Sequence, residues 1–273
     1  MGKNRERILW MCLMLRYLRN KDLIKQSLLD EVTIIGAGGI ASALVTILAQ
    51  MGFKKFHIWD DDKLEEHNLS TTAYPEAFLG CSKVECATNA IFAHQGDAEI
   101  TQHITRWEPG DYLSDIVLLT PDNMETRLDV HMDWKRNTNR KALIDMRMGA
   151  LTMEVISVEK DNDNFGKTWQ PSNKISDEAC TAKHTIFTAN VVAGLGASQL
   201  FNVLHNRSYW QYIRQSLAPL SFGREYPINK INNEVRKHGT EKSEKKTSVD
   251  KSRHSVIVRT TQGRQDNNAK QVR

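Results

Sequence analysis

The chain has 273 residues, of which 40% are apolar, so it can bury the core of one domain and carry an appendage. Its formal net charge of +4 is unevenly spread: residues 228–273 hold 12 Lys/Arg against 5 Asp/Glu, whereas residues 1–227 hold 25 against 28. The basic character therefore belongs to the tail. Because the tryptophans also follow no stacking pattern, we expect no nucleic-acid partner.

The four cysteines are Cys12, Cys81, Cys86 and Cys180. They form no C-x-x-C pair, so the sequence indicates neither a zinc site nor a disulfide framework. We expect a cytoplasmic protein without zinc.

The N-terminal residues combine basic side chains with an apolar run at 8–15. Basic residues follow that run directly, with no small-residue cleavage site, so we predict a packed or interface helix rather than a signal peptide. We expect no segment long enough to span a bilayer, and no membrane partner.

Strand and helix patterns then alternate. The pattern predicts strands at 32–35, 56–59, 99–104, 115–120 and 142–144, with helices near 39–52, 83–94 and from about 123. Beyond these we expect a crossover loop at about 160–180, a buried helix ending near 204, a helix at 208–217 and a short strand at 220–226. This order predicts an α/β, Rossmann-like doubly wound sheet, mostly parallel, with antiparallel C-terminal additions.

We predict three divisions of the chain: an N-terminal helical segment at 1–30, the nucleotide-binding domain at 31–227, and a basic tail at 228–273. The tail has no Phe, Trp or Tyr, and we predict that it is disordered.

A glycine-rich turn follows the first predicted strand. Gly36, Gly38 and Ala41 fit the G-x-G-x-x-G/A fingerprint, and Gly39 opens the next helix, whose N–H groups point at a bound anion. By itself this turn does not distinguish NAD from ATP.

The neighbouring loops carry further polar groups. Asp60-Asp61-Asp62 ends the second strand, where a carboxylate can bind ribose, and Lys83 begins a helix, where positive charge is unfavourable unless an anion lies nearby. A phosphate would be such an anion, whereas an NAD enzyme needs only one carboxylate here.

Together these residues resemble the ThiF/MoeB/HesA family of adenylating proteins, which are related to ubiquitin-activating enzymes. The resemblance covers roughly residues 31–204 and rests on five motifs: Gly36 to Ser42, Asp60 to Asp62, Asn68-Leu69, Gly80 to Lys83, and Thr120-Pro-Asp122-Asn123-x-x-x-Arg127. It implies binding of ATP with magnesium and transfer of AMP to a C-terminal carboxylate, with release of pyrophosphate.

The resemblance also implies roles for single residues. The glycines line the phosphates, Asp60 binds the ribose, and Asp62 and Asn68 shape the pocket. Lys83 neutralises charge on the transferring phosphoryl group. Asp122 holds magnesium, and Arg127 braces its loop.

Two departures from the family pattern concern arginines. The family usually has an arginine where this chain has Thr71, so one phosphate-binding cation is missing. An N-terminal arginine often reaches the neighbouring subunit's site, and Arg19 resembles it, although Arg19 lies close to Gly36 along the chain. A surface arginine is the alternative.

Cys180 precedes the predicted buried helix, with Lys183 and His184 close behind it. Such a position favours the thiolate, and in related enzymes a cysteine in this crossover region forms a thioester or persulfide. We expect the same of Cys180, an inert thiol being the alternative.

The sequence thus predicts ATP-dependent adenylation of a ubiquitin-like or sulfur-carrier protein or a peptide, by a homodimer. Two alternatives remain open: an NAD(P)-dependent oxidoreductase, and a non-catalytic family member that binds a partner.

Overall fold

The fold is taken from a computed structural model that describes residues 15–172, 184–217 and the backbone of 220–228. Cys180, the apolar run at 8–14 and the tail from residue 229 lie outside the described residues. The predictions made for them are not addressed by the structure.

One eight-stranded sheet organises the described chain, in the order β3-β2-β1-β4-β5-β6-β7-β8. The first five strands in this order are parallel, and the pairs β5–β6, β6–β7 and β7–β8 are antiparallel. This is the predicted fold class, and the prediction is confirmed. The strands are β1 Glu31–Ile35, β2 Lys55–Trp59, β3 Glu99–His103, β4 Ile116–Leu119, β5 Ala142–Gly149, β6 Thr152–Val158, β7 Tyr209–Leu217 and β8 Leu220–Ile228.

Within the residues that the structure describes, five α-helices connect or flank the strands: α1 Gly39–Met51, α2 Lys83–His94, α3 Met124–Trp134, α4 Phe165–Thr168 and α5 Ile186–Leu204. Short 3-10 helices lie at Gln26–Leu28, Glu66–Asn68 and Glu76–Phe78. The α4 turn falls inside the predicted crossover loop.

The hydrophobic core lies on both faces of the sheet. Side chains alternate along β1, so Val32 and Ile34 join the core beneath α1 and α5, while Ile35 joins a second core with Trp134 of α3. The loops at the carboxyl ends of β1, β2 and β4 therefore stand on a sheet held from both sides.

One element was predicted wrongly. Residues 208–217 were expected to be helical, but they form β7, in which every second side chain is buried: Tyr209, Gln211, Ile213 and Gln215. Pairing with β6 and β8 explains the difference, because a period of two places one face against the core whereas a helical period would not. The expected strand at 220–226 is present as part of β8, and β6 was not predicted.

Helix α5 is apolar over most of its surface. Its 19 residues have the length and composition to cross a bilayer, contrary to the expectation that no segment is long enough. Half of that window is buried in the fold, against α1 and β5. The helix therefore serves as a core helix of the domain, as the sequence predicted.

Candidate functional site

The loops that follow β1, β2 and β4 meet at the carboxyl edge of the sheet. The N–H of Gly36 donates to the carbonyl of Trp59 at 2.8 Å, which joins the glycine turn to the end of β2. The hydroxyl of Thr120 donates to the carbonyl of Gly36 at 2.7 Å, which joins the same turn to the end of β4. The turn is thus fixed on both sides.

The three glycines of this turn differ in the space that surrounds them. Gly36 has φ +88°, and a Cβ there would lie 2.8 Å from backbone atoms of Thr120 and Pro121. A Cβ on Gly39 would lie 2.7 Å from the carbonyl oxygen of Thr71. A Cβ on Gly38 would meet nothing within 4 Å. Gly38 therefore faces open space at the start of α1.

The N-terminus of α1 has no side-chain cap. Gly38 occupies the cap position and offers no side-chain acceptor, whereas Ser82, Asn123 and Thr185 cap α2, α3 and α5. The first N–H groups of a helix need acceptors, and the helix dipole favours an anion there. The open side at Gly38 gives an anion room to approach.

Asp60 holds the turn against the loop after β2. One carboxylate oxygen accepts from the N–H of Ala37 at 2.6 Å and the other from the N–H of Asp62 at 2.9 Å. Burial raises the pKa of Asp60, and the two backbone hydrogen bonds oppose that rise. The structure thus gives Asp60 a supporting contact, while the predicted contact with ribose stays a prediction.

Tyr74 was not predicted as part of the site. Its hydroxyl, fully buried, donates to the carbonyl of Ala37 at 3.0 Å, so Ala37 is held at its N–H by Asp60 and at its carbonyl by Tyr74. Burial raises the pKa of Tyr74, which keeps the hydroxyl a donor. Next to it, the N–H of Ala73 donates to Ser42 Oγ at 2.8 Å. Nothing in the sequence pattern marks such long-range contacts.

Asn68 shapes its loop from inside. Its side-chain oxygen accepts from the N–H of Glu65 at 3.0 Å, and its carbonyl accepts from the N–H groups of Thr71 and Thr72. These bonds close the 3-10 turn and bring the backbone of Thr71 against Gly39.

Lys83 lies at the start of α2 beside a carboxylate. Its Nζ is 2.6 Å from Oδ2 of Asp62, and its side chain is only 12% exposed, while Asp62 is 58% exposed. Ser82 caps the helix and Glu85 completes the capping box. The sequence predicted an anion near Lys83, and in this structure that anion is the carboxylate of Asp62.

Asp122 and Arg127 lie at the end of β4. Asp122 is exposed, and the following Asn123 caps α3 by accepting from the N–H of Thr126. Arg127 is buried; it donates to the carbonyl of Pro121 and to Asp145. Arg127 thus ties the Asp122 loop to β5, which agrees with the predicted bracing role.

The donor set at this edge suits a hard cation. One carboxylate oxygen from each of Asp60, Asp61 and Asp62 lies within 4.8 Å of the others. Carboxylate oxygens are ligands that magnesium accepts, and it commonly uses one or two of them together with substrate phosphates. These groups and Asp122 are the residues that could hold magnesium with a nucleotide.

Arg19 is not brought to this site. Tyr17 lies beside Gly52, at the end of α1 opposite to Gly38, and Arg19 follows it as an exposed residue. Its predicted role in a neighbouring subunit stays a prediction.

Comparison with known proteins decides the family. A family model described as the ThiF family matches residues 16–248, which is most of the chain. The chain belongs to the ThiF family. The match extends beyond residue 227, where the nucleotide-binding domain was predicted to end.

Curated relatives of this ThiF-family chain are activating enzymes and adenylyltransferases. The catalytic subunit of the Nedd8-activating enzyme E1 of Drosophila melanogaster is 37% identical over 82 residues, 30% of this chain and 18% of that protein. Ubiquitin-like modifier-activating enzyme 5 of Caenorhabditis elegans is 30% identical over 117 residues, 37% of this chain and 28% of that protein. Adenylyltransferase and sulfurtransferase MOCS3-1 of Zea mays is 31% identical over 104 residues, 36% of this chain and 22% of that protein. The chain thus matches under a third of the length of each relative.

Solved structures share the fold. PaaA aligns with a TM-score of 0.61 and 18% identity over 82% of this chain and 74% of that one. E. coli MccB aligns with a TM-score of 0.63 and 16% identity over 79% and 69% of the two chains. MccB crystallised with ATP gives 0.58 and 15% identity over 80% and 73%. At these identities the likeness establishes the ThiF-like Rossmann fold alone.

Proposed function

We propose that this ThiF-family protein binds ATP with magnesium at the glycine turn and adenylates the C-terminal carboxylate of a small ubiquitin-like or sulfur-carrier protein or of a peptide. The observation that carries the proposal is the uncapped N-terminus of α1, open at Gly38, beside the Asp60 to Asp62 carboxylates and Lys83. An anion site, a metal donor set and a cation together suit a nucleoside triphosphate. A dinucleotide would use the first of these features and leave the others unexplained.

In the proposed reaction, an oxygen of the partner's carboxylate attacks the α-phosphorus of ATP. A carboxylate–phosphorus bond forms, the bond to the β-phosphate oxygen breaks, and pyrophosphate leaves with that electron pair. No general base is needed because the attacking carboxylate is already ionised. The protein's part is to hold two anions together, so Lys83 and the α1 N-terminus contribute most by stabilising negative charge.

The partner class is inferred from relatives. Ubiquitin-like modifier-activating enzyme 5 and MOCS3-1 are named for ubiquitin-like activation and for adenylyl and sulfur transfer, and MccB has been crystallised with the peptide MccA. These names support a protein or peptide partner for this chain, and the family resemblance adds that the partner ends in the carboxylate that is adenylated. Its cytoplasmic location stays a prediction.

ATP–pyrophosphate exchange tests the reaction. Wild-type protein with a candidate partner should exchange label between pyrophosphate and ATP, and Asp122→Ala should not, since its carboxylate is proposed to hold magnesium. Asp129→Ala is the matched control, because Asp129 is also an exposed aspartate and lies on α3, the helix that follows the Asp122 loop. If all three proteins exchange label between pyrophosphate and ATP, Asp122 is not required and its proposed role is refuted.

Measurements of NADH, ATP and partner binding separate the alternatives. Tight NADH binding without ATP binding would instead support an oxidoreductase. Partner binding with neither nucleotide would support a non-catalytic family member, a reading that Thr71 favours because it removes a cation expected from the resemblance.

A second step is proposed for Cys180. Its thiolate would attack the adenylated carbonyl, forming a thioester and releasing AMP. Cys180→Ala should abolish a thiol-sensitive adduct with the partner and leave pyrophosphate exchange intact, whereas an adduct that survives the substitution would refute this step.

Arg19 and the homodimer are proposed together. Arg19 lies near the far end of α1 from Gly38, and we propose that it completes the neighbouring subunit's site, a surface arginine being the alternative. Mixing inactive Arg19→Ala and Asp122→Ala proteins should restore exchange, because a mixed dimer then contains one site with both residues. No recovery, from variants shown to exchange subunits, would refute the shared site.

A further inference from the structure

The proposed nucleotide site has an unfavourable charge balance. Asp60, Asp61, Asp62 and Asp122 all lie at the carboxyl ends of β2 and β4, and a magnesium triphosphate is itself an anion. Lys83 is already paired with Asp62 at 2.6 Å. The site therefore needs a further cation to hold a triphosphate.

The segment that packs on the glycine turn does not supply one. Residues 68–74 contain no Lys or Arg. At position 71, which lies directly against Gly39, the residue is a threonine whose hydroxyl donates to the carbonyl of Asn68 at 3.1 Å.

Arg106 provides a cation from another direction. It lies three residues beyond β3, and its Nε donates to Oδ2 of Asp61 at 2.9 Å. The pKa of Arg106 is raised, first by its hydrogen bond to Asp61 and then by the charges of Asp61, Asp122 and Asp62. The guanidinium thus stands within the electrostatic reach of carboxylates from the ends of two other strands.

The backbone of Arg106 is fixed by its buried neighbour, whereas its guanidinium group is exposed and can move. Trp107, the next residue, is buried in the core with 5% exposure, whereas the Arg106 side chain is 75% exposed. An arginine placed in this way can leave one carboxylate for another anion without disturbing the fold. A guanidinium has five N–H donors in a planar fork that matches phosphate oxygens.

We propose that Arg106 is a nucleotide-binding residue of this site, whose guanidinium moves from Asp61 to the triphosphate when ATP binds. This inference rests on the proposed function, and Arg106 would supply the cation that Thr71 does not. The contact is with phosphate oxygens rather than with the base, so its effect grows with the number of phosphates.

Equilibrium binding of ATP and of AMP, each with magnesium and without a partner protein, tests the inference. Arg106→Ala should weaken ATP binding by about tenfold, the loss expected for a charge-assisted phosphate contact at an exposed site, and AMP binding by clearly less. Arg106→Lys should recover part of the loss, because the charge remains and the fork does not.

Arg136→Ala is the matched control. Arg136 is 76% exposed and pairs with Asp133, so the substitution removes the same charge and the same kind of ion pair at the other end of α3 from Asp122. Its ATP affinity should equal that of the wild type. Denaturant unfolding of each variant confirms that the fold is intact.

The outcomes separate the two proposals. Wild-type protein that binds no ATP would refute the proposed function and this inference with it. Wild-type protein that binds ATP, with Arg106→Ala equal to Arg136→Ala, would overturn only the inference and make the Arg106–Asp61 pair a surface ion pair. An equal loss for ATP and AMP would overturn the phosphate contact.

Discussion

Two substitutions in the glycine turn should have opposite effects on folding and binding. Gly36→Ala forces an L-residue into φ +88° and pushes its Cβ to 2.8 Å from the backbone of Thr120 and Pro121. Gly38→Ala places its Cβ where nothing lies within 4 Å. The first should therefore damage the fold and the second the site.

The magnitudes follow from these contacts. For Gly36→Ala, the left-handed conformation costs roughly 1–2 kcal/mol and overpacking against rigid backbone roughly 1–3 kcal/mol, so the free energy of unfolding should fall by about 2–5 kcal/mol. For Gly38→Ala, the loss is that of replacing glycine by alanine at a helix cap, roughly 0.5–1 kcal/mol.

ATP binding should be weakened more by Gly38→Ala than by Gly36→Ala. A methyl group at Gly38 occupies the space through which a phosphate reaches the N–H groups of α1. Losing two hydrogen bonds to a charged group, each worth roughly 1.5–3 kcal/mol, corresponds to at least a hundredfold weaker ATP binding. Gly36→Ala that remains folded should keep more of its affinity than this.

The assay combines urea unfolding with equilibrium binding of ATP and magnesium for both variants and the wild type. Gly38→Ala with wild-type affinity would refute the placement of the phosphates at the α1 N-terminus. Gly38→Ala as unstable as Gly36→Ala would refute the packing argument.

Three further predictions concern buried groups. Tyr74→Phe leaves the carbonyl of Ala37 without the hydroxyl at 3.0 Å, so urea unfolding should show a free energy of unfolding lower by roughly 1–3 kcal/mol, and an unchanged midpoint would contradict this. Burial raises the pKa of Cys86 to about 11, so at pH 8 roughly 0.1% is thiolate, and peptide mapping after iodoacetamide should find Cys86 alkylated in unfolded but not in native protein. Burial lowers the pKa of His131 despite its hydrogen bond to Asp163, so the folded state binds the proton less readily than the unfolded one. The free energy of unfolding should therefore fall as the pH drops below about 6.5. If His131→Gln keeps the wild-type dependence of this free energy on pH, the assignment to His131 is refuted.

The sequence predicted best what is local. The alternation of apolar runs and turn residues located β1, the glycine turn and α1 within a residue or two, and Ser82 and Asn123 mark the starts of α2 and α3. These features depend on neighbours a few residues apart, and local propensity and capping fix them.

The sequence failed where distant contacts decide. Residues 208–217 carry a mixture of Tyr, Trp, Gln and Ser that fits either structure, and the partner β6 selects the strand. In the same way, Tyr74 becomes part of the site only because the loop after β2 folds back on Ala37, 37 residues earlier in the chain.

Arg106 shows how the two kinds of information combine. The sequence alone indicated that a cation is missing, because Thr71 stands where the resemblance expects an arginine. It could not indicate a replacement, since Arg106 follows a different strand and meets Asp61 across 45 residues. The parallel sheet brings the carboxyl ends of β2, β3 and β4 to one edge, so a charge lost from one loop can be replaced from another without altering the fold. A missing motif residue in such a sheet is therefore grounds to search the neighbouring strand ends before concluding that the site is inactive.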